Sequence, residues 1–365
     1  MALHGLCSSD WHFMGMNKVL GPRATEMQMT EIEKVYHFAA ENNIGRVFVP
    51  GDISDVPKLD DATMIRLVTH LLSWDDSVDT YYIRGNHDVE HKYKSSLDLL
   101  QTLADAGVFK RFHLYSAPTT ETIDGVDCSF FPWPSLSAPP SPKGRGRLMF
   151  AHIETAGAIG DNGRPLKGGH EDKIERDEND YIISGHIHLH QVLKAKRLMY
   201  VGSPYQKNFG ESLPKGFVEF KAGYKKGDPK LQFKHTFHNS RPNFVLESLV
   251  IADQSDWDKL KKDPNIRYKI FIDRNAGVLV PRNLTQEYPN IVHVTGVNTA
   301  TKSIEEIMEQ ANGQAMQVGD LPTVNPTTGL RRFLKREGVV DKALQKRARK
   351  YVGEAMAFVA AQKRA

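Results

Sequence analysis

The stretch YYIRGNHDVEH, residues 81–91, places three polar side chains where a short apolar run ends. The run that leads to Gly85 is rich in Tyr and Ile, which is typical of a strand buried on both faces. Asn86, His87 and Asp88 then follow Gly85, which lets the backbone turn sharply because it has no side chain. Amide, imidazole and carboxylate groups bind metals or transfer protons, so the sequence predicts a functional site at this strand end.

Four other apolar runs end in the same way. Residues 2–7 lead into SSDWH, residues 46–50 into GDISD, residues 148–151 into HIETAG, and residues 181–184 into GHIHLH. Helical patterns lie between several of these runs: one begins with TEIE at Thr30, which fits a capping box, one begins at Asp61, and one ends near Gly107. Strands that alternate with helices predict a layered α/β domain, in which ligands bind beyond the carboxyl ends of the strands.

The strand ends together supply seven good metal ligands. They are Asp10, His12, Asp52, Asn86, His152, His186 and His188. This mixture of carboxylate, imidazole and amide groups suits Mn, Fe, Zn or Co, and seven ligands exceed what one four-coordinate ion can use. Two ions roughly 3.5–4 Å apart that share one carboxylate account for the number, and such centres hydrolyse phosphoesters. Asp55 is not counted as a ligand; it either caps a loop or bonds to a ligand.

The motifs D-x-H, GD-x-x-D, GNHD, H and GHxH, in this order, resemble the calcineurin-type metallophosphoesterase superfamily over roughly residues 1–240. The resemblance implies a four-layer αββα sandwich and a role for each residue. One ion would be held by Asp10, His12 and His188, the other by Asn86, His152 and His186, and Asp52 would bridge them. His87 would protonate the leaving group, and Asp88 would orient His87. Mn²⁺ is the metal that the resemblance favours, with Mg²⁺, Fe²⁺ and Zn²⁺ as alternatives.

Three further stretches narrow the resemblance to one group within this superfamily. SSDWHFMG near the N-terminus and YVGSPYQKNFGESLPKGF, residues 200–217, are similar to the SbcD-type nuclease subunits. AHIETAG, residues 151–157, is most similar to their phage recombination-endonuclease branch, although Ala151 stands where that pattern has Gly. The resemblance implies a DNA exonuclease and endonuclease within an SbcCD-type, ATP-regulated repair and recombination complex. It also implies a nuclease domain over 1–240, a small α/β capping and DNA-binding domain over 241–325, and a linker with a basic helical tail over 326–365.

Charge is unevenly distributed along the chain. Residues 330–365 contain eleven Lys or Arg and three acidic residues, so this tail carries +8 and the remainder −4 of a net +4. A basic tail suggests a polyanionic or acidic partner. The resemblance implies that Leu330, Phe333 and Leu334 dock on an SMC-like ATPase of the SbcC type.

Two further partners are predicted. DNA phosphates would be gripped locally, by Arg23, Lys207 and the loop of Arg145 and Arg147, because the body of the chain is acidic. A homodimer through helices near residues 25–42 or 64–72 is also implied by the resemblance.

Two alternative functions remain open. One is a hydrolase of cyclic nucleotides or small phosphoesters with the same two-metal centre. The other is a non-enzymatic scaffold that binds DNA ends, which is disfavoured because every ligand position of the pattern is filled.

Cys7 and Cys128 fit neither a disulfide framework nor a zinc site, and no apolar run approaches the ~20 residues of a membrane span. The N-terminus lacks the features of a signal peptide, so we expect a cytoplasmic protein, in the host cell if it is phage-encoded.

Overall fold

The computed structural model describes residues 3–297 apart from 91–94, 96, 135–143, 162, 170–173, 175, 274 and 282. The strands are β1 (Leu3–Cys7), β2 (Arg46–Pro50), β3 (Asp79–Ile83), β4 (Phe112–Tyr115), β5 (Thr119–Ile123), β6 (Val126–Phe131), β7 (Leu148–His152), β8 (Tyr181–Gly185), β9 (Gln191–Leu193), β10 (Leu198–Tyr200), β11 (Gly216–Gly223), β12 (Gln232–Asn239), β13 (Val245–Ile251), β14 (Ile266–Asp273) and β15 (Ile291–Val297). The helices are α1 (Asn17–Leu20), α2 (Ala24–Glu41), α3 (Asp61–Trp74), α4 (Asp98–Asp105) and α5 (Leu284–Glu287). All five apolar runs singled out in the sequence form strands, and each ends at its polar cluster.

The first sheet has the order β12-β11-β1-β2-β3-β4, in which β1 to β4 are parallel, β11 is antiparallel to β1, and β12 is antiparallel to β11. Helices α2 and α3 cover one face of this sheet and share a core with its strands, as Val35 of α2 and Leu67 of α3 do with Val47. Helix α3 begins where predicted, since Asp60 accepts the N–H of Thr63.

The predicted start of the second helix at Thr30 is wrong. Helix α2 begins six residues earlier, at Ala24, and Thr30 lies inside it. The Thr30 hydroxyl donates to the carbonyl of Glu26 at 3.0 Å, as a threonine within a helix can.

The second sheet has the order β5-β6-β7-β8-β10-β9, with β6, β7, β8 and β10 parallel. Its inner face packs on the first sheet, where the rings of Phe48 and Phe150 stack at 4.4 Å between centroids. Cys7 and Cys128 are free, buried thiols in this inner core. The outer face packs against loop residues such as Ile153 and Ile187. Two large mixed sheets with helices confirm the predicted α/β sandwich class.

A third, parallel sheet of β13, β14 and β15 follows and has its own core, which includes Trp257, Ile270 and Leu284. The segment DQSDWDKLKK, residues 253–262, contains a 3₁₀ helix, Gln254–Lys259. This helix begins with a capping box between Asp253 and Asp256. This unit begins just after the boundary predicted at residue 240, and the division into separate domains stays a prediction.

The predicted partner-binding residues Leu330, Phe333 and Leu334 lie outside the described residues. Over the part of the chain that is described, none of the helices combines the length and the apolar character needed to span a bilayer.

Candidate metal centre

The parallel strands of both sheets end at one edge of the sandwich, and this brings all seven candidate ligands together. The Oδ2 atom of Asp52, after β2, lies 3.5 Å from Nε2 of His12 and 3.3 Å from Nε2 of His152. The Nε2 atoms of His12 and His188 lie 3.0 Å apart. Residues as far apart in the chain as Asp10 and His188 therefore share one cluster.

The backbone is strained where it carries four of these residues. Asp10, His12, Asp52 and His186 have φ angles of 57°, 45°, 56° and 86°, values that residues with a side chain rarely adopt. Each such residue costs about 1–3 kcal/mol unless its surroundings fix it. Here the loops after β1 and β2 fix each other, because the N–H of Asp10 donates to Gly51 O at 3.2 Å and that of His12 to Asp52 O at 3.0 Å.

Gly85 is required for space. A Cβ atom at this position would overlap Oδ1 and the backbone nitrogen of Asp52. The sharp turn proposed from the sequence is therefore not the main reason for this glycine, since close packing of the β3 end on the β2 end already excludes any side chain.

Asp10, His12 and His188 form the first group of candidate ligands, with side-chain donor atoms near one another. Nδ1 of His12 lies 3.1 Å from Oδ1 of Asp55, and Nδ1 of His188 lies 2.8 Å from Oε1 of Glu211. Nδ1 of His188 faces a carboxylate and Nδ1 of His12 contacts Asp55 and Lys207, so both imidazoles present Nε2 to the centre, which is the arrangement typical of metal-ligating histidines.

Asn86, His152 and His186 form the second group. Oδ1 of Asn86 lies 2.8 Å from Nε2 of His152 and 3.0 Å from Nδ1 of His186, and these two nitrogens are 3.3 Å apart. Metal–ligand bonds of about 2.1 Å place adjacent ligand atoms about 3 Å apart, so the triangle fits one divalent ion. The outer nitrogens are occupied, since Nδ1 of His152 donates to Pro50 O at 2.9 Å and Nε2 of His186 faces Glu154 at 3.0 Å.

Asp52 lies between the two groups. Its Oδ2 faces a histidine of each group, and its Oδ1 accepts the backbone N–H of His87 at 2.9 Å. Burial raises the pKa of Asp52, but the positive charges of His152 and His87 outweigh burial and hold the pKa well below its usual range. Asp52 is thus a buried carboxylate at the position that a bridging ligand requires.

The residues fit a pair of divalent ions. Oδ2 of Asp10 is buried and has no hydrogen-bond partner among the residues that the structure describes, which is costly for a carboxylate unless a cation is bound. Burial would lower the pKa of His188 and of His152, but neighbouring carboxylates raise both to about 9. The cluster thus attracts positive charge, whether protons or metal ions.

His87 lies at the mouth of the cluster with 39% of its side chain exposed. Its Nδ1 lies 3.3 Å from the carbonyl oxygen of Asp55, which can only accept, so Nδ1 carries a proton and Nε2 points away from this contact. Burial lowers the pKa of His87, and the charge of Lys207 lowers it further. The carboxylate of Asp88 bonds to backbone N–H groups of Asp52, Ser54 and Gly85, and its predicted role in orienting His87 stays a prediction.

The predicted DNA-contacting residues lie in different settings. Lys207 places Nζ 2.5 Å from Oδ1 of Asp55 and 3.1 Å from Nδ1 of His12, beside the metal cluster. Arg23 is exposed and pairs with Glu26. Arg147 is buried against Asp180, with Nη2 and Oδ2 3.0 Å apart, so its predicted contact with DNA is wrong. Arg145 pairs with Asp127 at 3.2 Å.

Four acidic residues lie around the cluster, and only for Asp55 did the sequence offer a bond to a ligand, as one of two alternatives. Asp55 and Glu211 back His12 and His188, Glu154 backs His186, and Asp161 accepts the N–H of His188 at 2.9 Å. Asp55, Glu154 and Glu211 lie in stretches that the sequence singled out, but sequence spacing does not show which loop carboxylate reaches which imidazole.

The family model for calcineurin-like phosphoesterases matches residues 6–190 of the chain. The matched region contains all seven candidate ligands and His87. No curated protein was matched in the corresponding comparison.

Proposed function

We propose, from the premise that this chain belongs to the calcineurin-like phosphoesterase family, that it is a DNA nuclease. The family makes the chain a hydrolase that uses divalent metal ions, and the clustered ligands support a two-metal phosphoesterase. Our proposal goes further in three respects: the substrate is DNA, the metal is Mn²⁺, and the chain acts as the nuclease subunit of an SbcCD-type complex. It would degrade duplex ends and cut single strands.

One observation carries the proposal. The segment of residues 200–217, on which much of the resemblance to SbcD-type nucleases rests, lies against the metal cluster. Lys207 contacts Asp55, and Glu211 faces His188. The part of the chain that is similar to a nuclease therefore lies beside the first group of candidate ligands, which supports a resemblance that concerns the chemistry of the site.

Several residues of the chain have defined tasks in phosphodiester hydrolysis. When bound, the two ions would neutralise the phosphate and activate a water molecule. His87 holds one proton on Nδ1 towards Asp55 O and can present a second on Nε2 to the departing oxygen. The contact between the N–H of His87 and Oδ1 of Asp52 fixes the distance between the acid and the cluster.

The test is degradation of end-labelled linear duplex DNA by the purified full chain with Mn²⁺, beside His87→Ala. His113→Ala is a matched control. The side chains of His87 and His113 are both 39% exposed, and each has a ring nitrogen 3.7 Å from an aspartate oxygen, of Asp55 for His87 and of Asp79 for His113. We expect cleavage by the parent and by His113→Ala, and a loss of at least about a hundredfold in His87→Ala.

Bis-p-nitrophenyl phosphate and cyclic AMP would be assayed in parallel. Turnover of these small esters with intact DNA, also after addition of the cognate ATPase, would overturn the nuclease proposal in favour of a small-phosphoester hydrolase. A chain that takes up Mn²⁺ but hydrolyses none of the three would favour a scaffold.

We also propose that an SMC-like ATPase binds the basic tail of residues 330–365 and that the chain is a homodimer. For the dimer, helix α3 offers two exposed apolar side chains, Ile65 and Leu72, which lie on the same helix face two turns apart. Sedimentation of Ile65→Lys would test this surface, since a dimer that depends on α3 would dissociate.

Removal of residues 330–365 should abolish ATPase binding and leave cleavage of small esters unchanged.

A further inference from the structure

Each imidazole of the first ligand group is backed by a carboxylate that is itself held by a lysine. Nδ1 of His12 lies 3.1 Å from Oδ1 of Asp55 and 3.1 Å from Nζ of Lys207, and that aspartate oxygen lies 2.5 Å from the same Nζ. Lys207 is 19% exposed, so its ammonium group is largely withdrawn from solvent into this contact.

The second imidazole of the group, that of His188, is backed by Glu211, which pairs with Lys215. Oε1 of Glu211 lies 2.8 Å from Nδ1 of His188, and Oε2 lies 2.7 Å from Nζ of Lys215. Lys215 also donates to the carbonyl of His188 at 2.9 Å. All three residues are buried, so the chain has placed two opposite charges in its interior with each other as partners.

Three of these supporting residues, Lys207, Glu211 and Lys215, come from one segment, residues 207–215. The segment is tied together at both carboxylate oxygens of Glu211, which accept the N–H of Lys207 at 3.1 Å and Nδ2 of Asn208 at 2.8 Å. In the second ligand group, by contrast, His152 is backed by the carbonyl of Pro50 and His186 by Glu154, which belong to other loops.

We propose that segment 207–215 positions the ligands of one metal ion and not those of the other. Asp55 and Glu211 orient His12 and His188, and Lys207 and Lys215 hold these two carboxylates in place. This inference rests on the proposed two-metal function and concerns the binding of the ions, which can be measured without a substrate.

The test is equilibrium dialysis of the metal-free full chain against Mn²⁺, with bound metal counted by elemental analysis. In Glu211→Gln we expect one of the two ions to bind about 10–100-fold more weakly and the other as in the parent. Combining Glu211→Gln with Glu154→Gln should weaken both ions, because Glu154 supports the second group.

Lys207→Met separates positioning from simple charge repulsion. Removal of a positive charge near a cation would by itself strengthen metal binding. A lysine that holds Asp55 in place has the opposite effect, so we expect the same ion to be weakened, and Lys207→Arg to restore its affinity. Lys34→Met is the matched control, because Lys34 also pairs with a buried carboxylate, that of Glu31 at 2.6 Å, but lies outside the cluster. The Lys34→Met variant should bind both ions as the parent does.

Three results would overturn the inference: a parent that binds fewer than two ions, a Lys207→Met variant that binds Mn²⁺ more tightly, or a Lys207→Met variant with unchanged metal affinity and weakened DNA binding. If Glu211→Gln fails to fold because Lys215 loses its partner, the Lys207 variants decide alone. The DNA assay of the parent remains a separate question, since a chain with the expected metal binding that leaves DNA intact would refute only the nuclease proposal.

Discussion

The carboxylate of Asp88 accepts the backbone N–H of Asp52 at 2.9 Å, although the two residues are 36 positions apart. The same carboxylate accepts the N–H groups of Ser54 at 2.9 Å and Gly85 at 2.8 Å and the hydroxyl of Tyr82. Asp88 therefore joins the loop after β2 to the loop after β3, and it holds the central carboxylate of the cluster in place.

Asp88→Asn should destabilise the protein by about 3–5 kcal/mol, because one amide oxygen cannot accept from four donors and the amide NH₂ group would face N–H groups. The measurement is urea unfolding of the metal-free protein. Asp98→Asn, on a half-exposed aspartate that pairs with Arg84, is the comparison and should have a much smaller effect. A stable Asp88→Asn with an altered pH–rate profile would instead support the role in orienting His87 that the sequence suggested.

The contacts of Asp88 show what adjacency in a sequence can and cannot establish. The motif GNHD correctly placed three polar side chains at the end of β3, because apolar runs that end in polar clusters mark strand ends. Neighbouring side chains in a tight turn point in different directions, however, so His87 faces the cluster mouth and Asp88 the interior. The role of each residue depends on the loops that it meets, and no local pattern specifies those.

The supporting carboxylates were missed for the same reason. Glu211 reaches His188 across 23 residues and Asp161 across 27, and both lie in loops without a periodic pattern. The start of helix α2 was missed because TEIE fits both a capping box and a helix interior, and packing against the first sheet extends the helix to Ala24.

His87→Ala should impair hydrolysis in proportion to the need of the leaving group for a proton. A deoxyribose oxygen is a poor leaving group, so cleavage of DNA should fall about a hundredfold to ten-thousandfold. The p-nitrophenolate ion leaves without a proton, so hydrolysis of bis-p-nitrophenyl phosphate should fall less than about tenfold. Equal losses with both substrates, together with weaker Mn²⁺ uptake, would show that His87 supports metal binding and does not act as the acid.

Metal affinity should rise with pH. The pKa of His152 and that of His188 are raised to about 9 in the metal-free protein by neighbouring carboxylates, which outweigh burial, so both imidazoles are protonated at pH 7. Metal ligands must be neutral at the coordinating nitrogen, so binding at pH 7 releases up to two protons, and affinity should increase until about pH 9. Calorimetric titration with Mn²⁺ in buffers of different ionisation enthalpy counts the protons. Binding without proton release, or affinity that is constant from pH 7 to pH 9, would contradict these protonation states.

The third sheet should depend on one buried side chain for its attachment to the metal-site loop. Oε1 of Gln206 accepts the N–H of Leu246 at 3.0 Å, and Nε2 donates to the carbonyl of Leu246 at 3.2 Å and to that of Glu211 at 2.8 Å. Leu246 belongs to β13, an edge strand of its sheet, so Gln206 completes the backbone bonding on the open side. Gln206→Leu should therefore destabilise the protein by about 1–3 kcal/mol and speed hydrogen exchange at the Leu246 amide. Gln101→Leu, which removes only a contact with Asp105 on the same helix, should change neither quantity. If Gln206→Leu leaves the exchange rate of Leu246 unchanged, apolar packing alone holds the third sheet in place, and the amide has no part in joining it to the loop that carries Glu211.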